Sequence, residues 1–217
     1  MRKTTVLILC SLCYLLPTLA QQDPAAKKIL DRVANKSKQY ISIQADFELK
    51  IDNRRDDFSS NSKGTLKIKG EKYYMESPDT KVFYDGTTLW TYMEDLNEVT
   101  ITEPDKSSED FVENPIIIFD LYNRDFKYRL VGETRVESGW MYEIDLFPND
   151  LDQPYSRFKI MIRKDTEELY MVKAVGKDGI DYTAYLTNAI YNKPIDDSAF
   201  TFQADKYKGV EVIDMRF

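Results

Sequence analysis

The sequence contains no histidine, and its only two cysteines, Cys10 and Cys13, both lie in the first twenty residues. Without histidine, a Ser-His-Asp or Cys-His catalytic arrangement and a His-ligated zinc site are all excluded. The eight glycines are scattered, and none opens a helix after a strand, so there is no phosphate-cradling loop. No repeat, low-complexity tract or interdomain linker interrupts the chain. The one long apolar run, Val6 to Leu16, falls well short of the roughly 20 residues of a membrane-spanning helix.

That run has another reading. Arg2 and Lys3 precede it, and Pro17-Thr18-Leu19-Ala20 supplies small residues before Gln21. This is the layout of a secretory signal peptide, expected to be cleaved after Ala20. The residue before each cysteine is a leucine, Leu9 or Leu12, not the small residue of a lipoprotein cut site. Residues 1–20 are therefore expected to be removed, leaving 21–217 as a single domain. Both cysteines leave with the signal, so the core must hold the fold without a disulfide. Of the 30 basic residues, 28 remain against 37 acidic ones, a net charge of −9. Such a surface repels phosphate backbones and anionic headgroups, so nucleic acid is not an expected partner. An aromatic fraction of 13% in so acidic a chain points to a polar outside around a large apolar inside, and excludes disorder.

Paired carboxylates are the remaining catalytic kit. Asp46 and Glu48 share one face of a predicted strand, but they alternate with Phe47, Leu49 and Ile51, so theirs is the solvated face. Asp105, Glu109 and Asp110 surround a predicted helix start, where acids favour the helix dipole. No enzyme, catalytic residue, metal site or cofactor is expected.

What is present is alternation. Asp23-Pro24 reads as a helix N-cap with proline in the first turn, and Ile29, Leu30 and Val33 recur at helical spacing over about fifteen residues. From Ile43 the period switches to two. Phe47, Leu49 and Ile51 begin a strand, and Asn53 to Ser62 reads as a polar turn region. Leu66 and Ile68, Tyr73 and Met75, and Val82 and Tyr84 follow. Asp85-Gly86 marks a hairpin turn, after which come Leu89-Trp90-Thr91-Tyr92 and then Val99 and Ile101. Between Pro104 and Leu121 the pattern breaks, and Ile116-Ile117-Ile118-Phe119-Asp120-Leu121 is apolar enough to need cover. Two readings stand for it, a core helix closing one barrel end or a lid that lines and gates a cavity. Strands then resume through Tyr128, Tyr142, Ile160, Val172 and Tyr182. The fold class is mainly β (α+β), one antiparallel sheet of about eleven strands that must curl and leave a concave face.

Four segments carry a family resemblance. Lys63-Gly64-Thr65-Leu66-Lys67-Ile68-Lys69 resembles the G-x-L strand of the LolA family of periplasmic lipoprotein carriers. Tyr84-Asp85-Gly86-Thr87-Thr88-Leu89-Trp90-Thr91-Tyr92 looks like their D-G-x-x-L-W-x-Y hairpin. Ala45-Asp46-Phe47 is similar to their A-x-F first strand, and Phe200-Thr201-Phe202 with Gly209-Val210-Glu211-Val212 to their ending. The resemblance implies an unclosed β-barrel of eleven strands covered by helical lid segments, with acyl chains bound inside. It implies a periplasmic monomer, not an integral membrane protein. Its partners would be acylated lipoproteins, an inner-membrane lipoprotein-releasing transporter and an outer-membrane acceptor. A second reading on the same fold is an envelope-stress sensor or other lipid-binding interaction module. A sensor would carry a further domain after the barrel, so the carrier is the expected function. Alternation selects Phe47, Leu49, Leu66, Ile68, Tyr73, Met75, Trp90 and Tyr92 as cavity candidates, with Ile117 and Phe119 from the lid. Many family members follow the G-x-L strand with an arginine-proline pair that ties the lid closed. Here the stretch is Lys69-Gly70-Glu71-Lys72, and no lock residue is carried across.

Overall fold

The computed structural model describes residues 23–104, 114, 116, 117 and 126–216. The proposed signal peptide and the end of the apolar segment, with Phe119, lie outside them.

The first element is a helix, α1 (Pro24–Ser37). Proline sits where its missing N–H costs nothing, and Asp23 caps the free N–H groups. Ala26, Ile29, Leu30, Val33 and Ala34 are buried, a stripe that follows the helical period. Each of the larger three contributes about 1.5–3 kcal/mol by leaving water.

Asp23 does more than cap. One oxygen, Oδ1, accepts from the Ala25 and Ala26 N–H groups at 2.8 and 3.3 Å, and the other accepts from Leu130 N–H at 2.9 Å. Its own N–H donates to Tyr128 O at 3.4 Å. The helix start thereby occupies the middle of β7 (Phe126–Val136), an edge strand with backbone groups to satisfy. The Leu130 N–H first, then those of Ala26 and Ala25, hold the Asp23 carboxyl below its ordinary 3.8. A depressed carboxyl stabilises the fold above its unfolded value and stops doing so as pH falls through the folded one. Asp23→Ala is therefore expected to melt earlier than the natural protein at pH 7. The difference should close as pH falls below about 3.8 in parallel thermal scans.

Among the described residues, twelve strands form one sheet. In chain order the others are β1 (Ile43–Asn53), β2 (Phe58–Lys69), β3 (Lys72–Glu76), β4 (Thr80–Tyr84), β5 (Leu89–Met93) and β6 (Glu98–Thr102). After β7 come β8 (Gly139–Pro148), β9 (Tyr155–Arg163), β10 (Leu169–Gly176), β11 (Ile180–Tyr191) and β12 (Glu211–Asp214). The spatial order is β12-β6-β5-β4-β3-β2-β1-β11-β10-β9-β8-β7, so β12 and β7 are edges and the curled sheet does not close. β1 and β11, paired from Ile43↔Tyr191 to Asn53↔Ile180, join the two antiparallel runs.

Two expectations are corrected in detail. The sheet is mixed, because β12 lies parallel to β6, with Glu211 N–H on Asn97 O at 3.0 Å and Met215 N–H on Ile101 O at 2.9 Å. The polar stretch 53–62 is mostly strand. β2 starts at Phe58 and pairs residue for residue with β1, and cross-strand bonds such as Ser59 to Asp52 (2.8 Å) and Asn61 to Glu48 (2.9 Å) replace apolar contacts. The Asp85-Gly86 turn forms as expected. Gly86 has φ +100°, which only glycine adopts freely, and Asp85 Oδ1 accepts from Thr87 and Thr88 N–H at 2.9 Å each.

Candidate functional site

Because successive side chains of a strand point to opposite faces, the pairing register assigns every residue to one of two faces. The inner face carries α1 and two adjoining apolar clusters. The first contains Ile144, Ile160, Val172 and Ala184 under the helix stripe, with Leu49 packed against it. The second is built on Ile43, Ala45, Leu66, Ile68, Tyr73, Tyr84 and Leu186, with Phe47, Met75, Val82 and Leu89 against it. Together they make one apolar surface running from β5 across to β7.

Seven of the ten sequence candidates stand on this inner face: Phe47, Leu49, Leu66, Ile68, Tyr73, Met75 and Ile117. Ile117 belongs to the first cluster and its neighbour Ile116 packs against the second. The two side chains therefore reach both halves from a turn held by Asn114, whose O accepts from Ile117 N–H and whose Oδ1 accepts from Ile116 N–H, both at 3.2 Å. Phe119 lies outside the described residues.

Trp90 and Tyr92 stand elsewhere. Their cross-strand partners Phe83 and Lys81 project from the outer face, opposite Val82 and Tyr84. There Tyr92, Phe83 and Val99 form a third cluster with Phe202, against which Trp90, Tyr74, Tyr207 and Val210 pack. The rings of Phe202 and Tyr207 lie 5.7 and 4.5 Å from that of Tyr92. The C-terminal tail covers this face. The grouping of Trp90 and Tyr92 with the cavity candidates is thereby corrected. Both faces of Leu89-Trp90-Thr91-Tyr92-Met93 are apolar, so alternation alone cannot say which points inward. The inward residue is Leu89. The inner face also carries Ile43 and Ala45, on the same strand phase as Phe47, and Val82, Tyr84 and Leu186, which pair across with Met75, Tyr73 and Phe47 on strands where alternation selects no candidate.

The lysines that stand in place of the arginine-proline pair hold the tail. Lys69 and Lys72 reach Asp197 Oδ1 and Oδ2 at 2.7 and 2.8 Å, and the two ammonium groups pull its carboxyl down to about 2.

Away from the tail the outer face mixes buried methionines, such as Met141 and Met171, with charged side chains. A concavity of about 490 Å³ there is lined by Asp46, Glu48, Lys50, Lys63, Tyr170 and Tyr185, among others. Asp46 accepts from Asn188 Nδ2 at 2.7 Å. Glu48 is bound by Asn61 and lies 3.3 and 3.6 Å from the Lys63 and Lys50 ammonium groups. Asn61 first, then Lys63 and Lys50, hold the Glu48 carboxyl below its ordinary range. A general acid needs the opposite, a carboxyl raised toward neutrality; Glu48 instead stands in a ladder of hydrogen bonds and ion pairs with Asn61, Lys63 and Lys50. Among the described residues, no cluster of three or more acids could hold a metal ion, and no helix is long and apolar enough to cross a membrane.

The model of the family described as outer membrane lipoprotein carrier protein LolA matches residues 16–144. Among solved structures, an uncharacterized conserved protein from Thermus thermophilus superposes with a TM-score of 0.57 at 14% identity, over 88% of this chain and 99% of that one. A DUF1329 family protein from Desulfovibrio piger gives 0.48 at 15% identity, over 85% and 98%. A LolA superfamily protein from Nitrosomonas europaea gives 0.43 at 12%, over 82% and 97%. At these identities the likeness is one of fold. No curated protein matches the sequence.

Proposed function

Because the chain belongs to the family of the outer membrane lipoprotein carrier protein LolA, we propose that it carries the acyl chains of lipoproteins on its inner face. It takes them from an inner-membrane releasing transporter and delivers them to an outer-membrane acceptor, working in the periplasm. The observation that carries this is the continuous apolar inner face of a sheet that does not close. A closed barrel packed to its axis would have no room for a chain, whereas an open one can widen at its seam.

The energetics require such a surface. At about 0.8 kcal/mol per buried CH₂, one acyl chain of about sixteen carbons resists transfer to water by roughly 12 kcal/mol. A lipoprotein therefore leaves its membrane only if it passes directly onto another apolar surface. Ile116 and Ile117, packed across both halves of that surface, are the residues that chains would displace. No bond is made or broken, and Asp46 and Glu48 have no catalytic role.

The test is capture. The mature protein is expected to retain an acylated lipoprotein released from inner-membrane vesicles and not its unacylated form. In cells depleted of the protein, lipoproteins are expected to stay on the inner membrane. Equal capture of both forms, or ester hydrolysis that disappears in Asp46→Ala or Glu48→Ala, would overturn the proposal.

A further inference from the structure

Charge is not spread evenly over the sheet. On the outer face of β7–β10 the pairing register brings together six cations, Lys127, Arg129, Arg157, Lys159, Arg163 and Lys173, and two acids, Glu143 and Asp145. The chain as a whole has 37 acidic residues and only 30 basic ones. On this face the acids lie beneath and the cations above. Asp145 Oδ2 stands 3.4 Å from both Arg129 and Arg157, whose side chains are 64% and 38% exposed over a carboxylate at 3%. Glu143, also largely buried, is held by Lys159. What meets solvent is guanidinium and ammonium.

Part of this arrangement works against the fold. Lys159 and Lys173 stand directly opposite each other on β9 and β10, and like charges so placed repel. Each turns aside to an acid, Lys159 to Glu143 and Lys173 to Asp181 on β11 at 3.0 Å, which Arg54 also reaches at 3.2 Å. Arg129 and Arg157 likewise crowd a single carboxylate. Even with Asp181 counted, the cations outnumber the acids, and the excess stands at the surface.

We propose that this face docks on the anionic headgroups of a phospholipid membrane. On these strands the exposed large apolar side chains are Val131, in the bulge of β7, and Trp140, on the inner-face phase of Tyr142 and Ile144. A specific protein interface is built around buried aromatic and apolar anchors, whereas charge is what this face presents. Attraction to headgroups needs only charge spread over a surface, and each Lys or Arg near that surface strengthens binding about fivefold. The acidic remainder of the chain does not cancel the attraction, because charges more than about 8 Å away are screened at physiological salt. Attraction on one side only also sets an orientation, with the outer face against the bilayer and α1 turned away from it. Docking of this kind needs no cargo.

The experiment is co-sedimentation of the mature protein with vesicles of phosphatidylglycerol and phosphatidylcholine in equal parts, and with vesicles of phosphatidylcholine alone. Binding is expected to the anionic vesicles only, and it should fall as salt is raised from about 0.05 M to about 0.5 M. Lys127→Gln combined with Arg129→Gln is expected to weaken it about twenty-fivefold, about fivefold for each cation. Arg157 remains beside Asp145 in that variant. Lys127→Gln alone, at an exposed position, gives the fivefold step should the double variant fold poorly. Lys28→Gln, on α1 and so on the other side of the sheet, should leave binding unchanged. Equal binding to both kinds of vesicle, binding to neither, or an equal loss in Lys28→Gln would overturn the proposal. So would a protein that ignores the vesicles and binds polyglutamate through Lys127 and Arg129, which would assign the face to an acidic protein. The vesicles hold no lipoprotein, so each outcome is read independently of whether the protein captures acyl chains.

Discussion

Ile117→Asp is expected to yield a folded protein that captures little acylated lipoprotein, while Ile144→Asp is expected not to fold. Both side chains are buried, at 3% and 0% exposure, and both belong to the first apolar cluster. They differ in how the backbone beneath them is held. Ile144 lies on β8 between Leu130 of β7 and Ile160 of β9, hydrogen-bonded into the sheet on both sides. Its side chain cannot reach water without unravelling three strands. An unpaired carboxylate kept in place costs several kcal/mol, comparable with the 5–15 kcal/mol that holds a typical domain together. The turn of Ile117 is joined by local bonds to Asn114. Withdrawing the Ile117 side chain costs about the burial energy of one isoleucine, roughly 1.5–3 kcal/mol, and lifting the whole turn adds the partly buried Ile116. Lifting removes the side chain that would close over bound acyl chains. Urea unfolding and lipoprotein capture, measured on both variants, separate the two roles. If Ile117→Asp unfolds as Ile144→Asp does, the turn is core; if it folds and captures normally, Ile117 is no part of a lid.

Gly64→Ala is expected to destabilise the protein by about 3 kcal/mol, the upper part of the range for overpacking a core. A Cβ at this position would overlap Glu76 O and stand 2.6 Å from the Phe47 ring. The ring can turn aside. The carbonyl cannot, because Glu76 is paired with Thr65 in the β2–β3 ladder, so the strands themselves must move. Replacing Phe47 by a smaller residue in the same chain should therefore restore only part of the loss. The readout is the urea midpoint of the single and double variants. A change below about 1 kcal/mol, within the scatter of ordinary substitutions, would show that β2 and β3 part easily here. The same contact gives a steric reason for the glycine in Lys63-Gly64-Thr65-Leu66. At this point the chain of β2 passes too close to β3 and Phe47 for any side chain.

Local chemistry decides several features of this protein before any tertiary contact exists. Asp23-Pro24 can begin a helix and Asp85-Gly86 can turn a hairpin because their hydrogen bonds and dihedral angles are satisfied within a few residues. The period-two patterns of Ile43–Ile51 and Leu66–Met75 establish strands for the same reason. The absence of histidine removes whole classes of chemistry. Long-range pairing decides the rest. The polar residues 59–63 are strand because β1 offers them a backbone ladder. β12 joins β6 in parallel across more than a hundred residues of chain, which no local pattern announces. Alternation separates Leu89 from Trp90 but cannot rank two apolar faces. Only the tail, with Phe202 and Tyr207 laid over Tyr92, makes one of them outer. Lys69 and Lys72 likewise take their role from Asp197, on a distant turn. Such partnerships are visible in no sequence, because they are a property of position in space and not of residue type.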